Sequence, residues 1–111
     1  MRFNNEINIA YVVYNEFGEA LPQDIKPLKC AILAYNKVND TNATHGHYQY
    51  DLELMFPARS FKPYTDVFEN DDVVVMYDGR RFIPKNIMPI NNFRGQSVYF
   101  EVKADDERNE L

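Results

Sequence analysis

The chain is poor in the residues that chemistry-bearing folds usually need: among its 111 residues are one cysteine, four glycines and two histidines. The lone Cys30 sits in the apolar run Leu28-Lys29-Cys30-Ala31-Ile32-Leu33, so no internal disulfide framework can support the fold. Four dispersed glycines form no Gly-rich loop opening a helix, which excludes the phosphate-binding and dinucleotide-binding patterns. Basic residues are also few. Twelve Lys and Arg stand against seventeen Asp and Glu, a net charge of -5. That balance gives no positive field for phosphate backbones, and direct nucleic-acid binding is disfavoured. No apolar stretch approaches the length of a membrane span. Residues 1–6 lead into alternating polar and apolar positions instead of a continuous apolar region, so no signal peptide is expected. On this reading the chain stays in the cytoplasm in which it is made and meets no membrane.

What is present points to a packed β domain. Hydrophobic residues make up 45% of the chain, with eight Tyr and eight Phe, a composition that folds instead of remaining disordered. The length suits one domain and one core. β-Branched and aromatic residues are plentiful and helix-forming stretches are scarce. We therefore expect a mainly β fold, a small barrel or sandwich of about six antiparallel strands with little helix, spanning residues 1–103 and followed by a flexible acidic tail over 104–111.

Alternation marks the strands. Ile7, Ile9 and Tyr11 alternate with Glu6, Asn8 and Ala10 before Val12-Val13-Tyr14, and Asn15 to Glu19 supplies a turn. Pro22 and Pro27 make residues 20–27 a connection, and Leu28 to Tyr35 a largely buried strand. Asn36 to Gly46 is the most conspicuous loop, mostly polar and without a periodic apolar stripe. After it Tyr48, Tyr50, Leu52, Leu54 and Phe56 show the cleanest period-two pattern. Residues 57–72 form a long connection with room for a helical turn, its Phe61, Tyr64, Val67 and Phe68 packing partly on the core. Val73 to Tyr77, then Asp78-Gly79, then Arg81 to Ile83 is the strongest hairpin signal, because Asp-Gly adopts the positive φ angles of a type I′ turn. Val98, Phe100 and Val102 close the fold as a last strand, after a turn at Asn91, Asn92 and Gly95.

Candidate chemistry is thin. His45-Gly46-His47 could place two imidazoles near a metal, yet a closed zinc site needs four ligands and a catalytic one three, and the others are not evident. Cys30 lies in an apolar strand, where packing explains it better than nucleophilic catalysis. Asp71-Asp72 and Asp105-Asp106-Glu107 read as solvated surface, since adjacent carboxylates do not flank one substrate bond. No catalytic residue, metal ligand or cofactor is assigned, and no enzymatic activity is expected. Tyr35, Tyr48, Tyr50 and Tyr99 read as core or barrel-wall residues before interface anchors. The interaction candidates are the loop Asn36, Lys37, Val38, Asn39, Asp40, Thr41, Asn42, Ala43, Thr44, His45 and Gly46, together with the hairpin tip Asp78, Gly79, Arg80 and Arg81. The tip could meet an acidic partner or simply be solvated.

The segment Asp72-Val73-Val74-Val75-Met76-Tyr77-Asp78-Gly79-Arg80-Arg81-Phe82-Ile83-Pro84, followed by Ser97-Val98-Tyr99-Phe100-Glu101-Val102, resembles the head-tail connector proteins of tailed bacteriophages, the head-completion, stopper and adaptor family. The match covers about the last third of the chain. The resemblance implies a virion structural protein made in the host cytoplasm, a small β-barrel that assembles as a homo-oligomeric ring beneath the portal. It implies contacts with portal, adaptor and tail proteins, and a channel that passes DNA without binding it specifically. Asn36 to Gly46 stands where stopper members carry a loop projecting into that channel. Two other readings remain open from the residues: a small acidic inhibitor covering a basic surface of a host protein, and a barrel enzyme or ligand carrier using His45 and His47.

Overall fold

The structure, a computed structural model, describes residues 2–37, 50–69 and 73–110. Six strands form it: β1 (Asn5–Tyr11), β2 (Asp24–Tyr35), β3 (Leu52–Pro57), β4 (Val73–Tyr77), β5 (Arg80–Asn91) and β6 (Ser97–Asp106). Every pairing is antiparallel and the sheet closes in the order β1-β2-β3-β6-β5-β4. The expected mainly β fold of six antiparallel strands is thus realised as a barrel, whose closure satisfies strand edges that a sandwich leaves open. Between β3 and β4 lie two helical turns, α1 (Ala58–Phe61) and α2 (Thr65–Glu69), joined by a 3-10 turn at Lys62–Tyr64. No described helix is long and apolar enough to cross a membrane.

Alternation puts one face of each strand inside. Ile7 and Ile9 of β1, Leu52, Leu54 and Phe56 of β3, Val73 and Val75 of β4, Phe82 of β5, and Val102 and Ala104 of β6 are almost completely buried. Each large side chain among them contributes about 1.5–3 kcal/mol by leaving water. Phe61 of α1 and Phe68 of α2 are buried too. Their rings lie 4.8 Å apart and 5.0 Å and 6.3 Å from that of Phe56, so the helical connection stoppers one end of the barrel with aromatics.

The registers define two ends. Tyr11 pairs with Asp24 and with Val73, and Pro57 with Tyr99, so the β1–β2 turn, the helical connection and the β5–β6 turn share the hairpin end. Tyr35 pairs with Leu52, and Tyr77 with Arg80, so Asn36, Lys37, Tyr50 and Asp51, the Asp78-Gly79 turn and the 3-10 turn at Glu107–Glu110 share the opposite end, the barrel mouth.

Four expectations need correction. Asp24 to Pro27, expected in a connection, belong to β2, and β5 runs past the expected Ile83 through Pro84 and Pro89 to Asn91. β2 pairs with β3 only from Ala31 onward, and β4 meets β5 only as far as Phe82, so each proline falls where one edge of its strand has no ladder partner and a missing N–H costs little. The strand expected from Tyr48, a residue that lies outside those described, forms over Leu52–Pro57, and Tyr50 and Asp51 form a bend. The tail expected from Ala104 starts later: β6 runs to Asp106, with Ala104 and Asp106 buried. A bulge at Leu33 in β2 turns that side chain outward, 44% exposed, although the expected strand was buried on both faces.

Candidate interaction site at the barrel mouth

Of the two stretches singled out in the sequence, the root of the first, Asn36 and Lys37, meets the second, the hairpin tip from Asp78, at the barrel mouth. The Asp78-Gly79 turn forms as expected, with φ of 55° and 72°, and the positive angles at both central residues are those of a type I′ hairpin. This tight turn aims Arg80, the first residue of β5, back across the mouth. Its Nε donates to Asp106 Oδ2 at 2.8 Å and its Nη1 to the Asn36 carbonyl at 2.6 Å. The guanidinium carbon also sits 5.4 Å from the Tyr35 ring centre and 4.9 Å from that of Phe82, a cation–π arrangement that favours the charge where water is largely excluded. Nη2 is buried and has no acceptor among the described residues, so the ring faces are its principal company.

A closed circuit of hydrogen bonds results. The Asp106 backbone N–H donates to Asp51 Oδ2 at 2.8 Å, and the Asn36 N–H donates to the Asp51 carbonyl at 2.9 Å. The Asn36 side-chain amide adds a bond to Asp51 Oδ1 at 3.3 Å. Asn36, Asp51, Asp106 and Arg80 are therefore linked in sequence around the mouth, and the two ends of the intervening segment are fastened to each other and to the barrel wall. Tyr35, one residue before, donates its hydroxyl to Asp78 Oδ2 at 2.6 Å and stacks edge-on against Tyr77 at 5.1 Å. Burial, helped by the Asp78 carboxylate, pushes the Tyr35 phenol up from its ordinary value.

The electrostatics rest on Asp106, which is 1% exposed. Arg108 donates to its two carboxylate oxygens at 3.1 and 2.9 Å and its backbone N–H adds a third bond, with Arg80 on the other side. Arg108 foremost, then Arg80, holds the carboxyl well below the usual carboxylate range against the opposing effect of burial. A carboxylate so firmly ionised is a poor proton donor or acceptor near neutral pH and suits an anchor. A shallow depression of about 200 Å³ opens beside it, lined by Gly79, Arg80, Arg81, Asp106, Glu107 and Arg108.

Of the residues expected to interact, Asn36 and Lys37 form the loop root, while Val38 to Gly46, with His45 and His47, lie outside the described residues. Asp78 and Gly79 are exposed. Arg80 is turned inward and meets an acid of its own chain, and Arg81 pairs with Glu107 at 3.1 Å. Cys30 is fully buried and its thiol is pushed up to about 11 by burial, which accords with packing and not with nucleophilic use. Among the described residues no three His, Cys, Asp or Glu side chains converge to hold a metal.

Asp51, Asp106 and Arg108 were missed as site residues. A signal for Asp106 was present: Phe100, Val102, Ala104 and Asp106 continue one period-two face into the barrel, and an acid on that face demands a cation. Compared with known proteins, the chain matches no family model, no curated protein and no solved structure.

Proposed function

We propose that this protein is a structural, non-enzymatic component of a tailed-phage particle, a head-tail connector that joins the portal to the tail and helps retain packaged DNA. One observation carries the reading: the circuit of Asn36, Asp51, Asp106 and Arg80 fastens both ends of the segment after Lys37 to the mouth of a closed barrel. A scaffold that anchors a polar segment by a buried ion pair is built to present that segment to something else, since contact residues concentrate on loops held by rigid elements. The resemblance of Asp72–Pro84 and Ser97–Val102 to connector proteins supplies the identity of that partner. On this reading copies assemble as a ring around the DNA path, and the acidic balance keeps the channel from adhering to DNA.

The acidic-inhibitor reading receives less support, because Glu6, Glu53, Glu101, Asp106 and Glu107 each pair with a Lys or Arg of the same chain. A mimic of nucleic acid needs its carboxylates free for a basic enzyme. The test is a stop codon in the gene for this chain within the phage that carries it, followed by electron microscopy of the lysate. The connector reading expects heads without tails that have lost their DNA. Intact tailed particles at normal yield would overturn it.

A further inference from the structure

Two turns at the hairpin end are built alike, and neither belongs to the barrel mouth. In Asn15-Glu16-Phe17-Gly18-Glu19 the Asn15 Oδ1 accepts the N–H groups of Phe17 and Glu19 at 2.9 and 3.0 Å, and the Gly18 N–H donates to the Asn15 carbonyl at 3.0 Å. In Asn92-Phe93-Arg94-Gly95-Gln96 the Asn92 Oδ1 accepts those of Arg94 and Gln96 at 2.9 and 3.0 Å, and Gly95 donates to the Asn92 carbonyl at 3.0 Å. Gly18 and Gly95 both take the left-handed conformation, with φ of 77° and 79°. Each turn is thus preorganised by an Asn side chain, and each holds a phenylalanine out in water: Phe17 is 77% exposed and Phe93 94%. Large apolar side chains fixed in solvent by a rigid turn lose little entropy when they are covered, which marks them as contact residues.

The two tips differ in charge. Residues 12–25 contain Glu16, Glu19 and Asp24 and no Lys or Arg, and none of those three acids has an ion-pair partner among the described residues. Residues 86–98 contain one charge, Arg94, whose guanidinium lies 5.6 Å from the Phe93 ring centre. Their positions also differ. In the strand order β1-β2-β3-β6-β5-β4 the β1–β2 pair stands across the barrel from the β6–β5 pair, so the tips leave the same end from opposite walls. β4 leaves β5 after Phe82 and β5 carries a bulge between Pro84 and Asn86, so from there β5 runs beside β6 alone, while β6 keeps β3 as its other neighbour as far as Tyr99.

We propose that these tips are the two halves of one interface between copies of this chain: the Phe93–Arg94 tip of one copy docks on the β1–β2 hairpin of the next, covering Tyr14, Phe17 and Leu21, with Arg94 set against Glu16 and Glu19. Opposite walls at a common end let neighbouring barrels stand side by side in the same orientation. Unlike patches make the contact heterologous, the type that closes into a ring when its rotation permits. The inference rests on the ring assembly contained in the connector reading and adds the surface that makes it.

The test is sedimentation velocity of the full chain from about 1 to about 100 μM, the range in which small interfaces associate. Arg94→Glu and the double change Glu16→Lys with Glu19→Lys are each expected to weaken self-association at least about tenfold. Mixing these two variants is expected to restore it, because both junctions of an alternating assembly again join opposite charges. Phe93→Ser should abolish it, while thermal unfolding stays unchanged in all variants because the altered side chains face solvent. A wild-type chain that remains monomeric at the highest concentration would overturn the proposal, as would variants that associate like wild type. Binding of the same samples to a portal ring separates the two ideas. Portal binding without tip-dependent self-association removes this interface and leaves the connector reading, whereas loss of portal binding by the wild type removes the latter.

Discussion

Asp106 and Arg108 share a bidentate contact, yet their surroundings give them different weights. The Asp106 carboxylate and the Arg80 guanidinium are 2% and 11% exposed, so removing one leaves the other charged and almost dry. Asp106→Ala is expected to cost about 3–5 kcal/mol of stability in urea unfolding at pH 7, the usual effect of breaking a buried pair from one side. Arg108→Ala should cost far less, since that side chain is 63% exposed and its pair is screened by water. The pH dependence follows from the depressed Asp106 carboxyl. Its folded value lies below the unfolded one of about 3.9, so its contribution is fully present above about pH 4 and is lost as the pH falls toward the folded value. The stability difference between wild type and Asp106→Asn is accordingly expected to narrow as unfolding is measured from pH 5 down to pH 2. A constant difference would show that the charge of Asp106 contributes nothing.

At the level of elements, the Asp78-Gly79 turn decides where Arg80 points. Gly79 has φ of +72° with open space around its missing Cβ, so Gly79→Ala meets backbone strain but no clash. A loss of about 1 kcal/mol is expected, read as a lower urea midpoint with an unchanged slope. This hairpin and the β3 core face were legible because their signals are local: two residues with positive φ, and an unbroken alternation through Leu52, Leu54 and Phe56. The long reach of β2 and β5 was not legible, because proline reads as a strand breaker until pairing shows that one edge at Pro27, Pro84 and Pro89 is unclaimed. The site was half legible. Its loop root and its turn were marked separately, but the bond from Arg80 to the Asn36 carbonyl joins residues forty-four positions apart, and only closure of the barrel brings them together. Asp106 passed for tail because three consecutive acids read as solvated surface, although its place on the face of Val102 and Ala104 put it inside.

Taken whole, the molecule separates its roles by end. The mouth holds the ionic circuit that anchors the segment after Lys37, and the hairpin end carries rigid tips with exposed aromatics. On the proposed connector reading, the hairpin end would meet copies of the same chain and the mouth another component of the particle. The most direct measurement of the connector proposal is the mass of the full chain by light scattering after size exclusion, alone and then mixed with the portal ring that the proposal makes its partner. The account predicts a stable complex in which many copies join each portal ring. Elution at the 13.1 kDa monomer mass in both runs, with the portal peak unchanged, would contradict it.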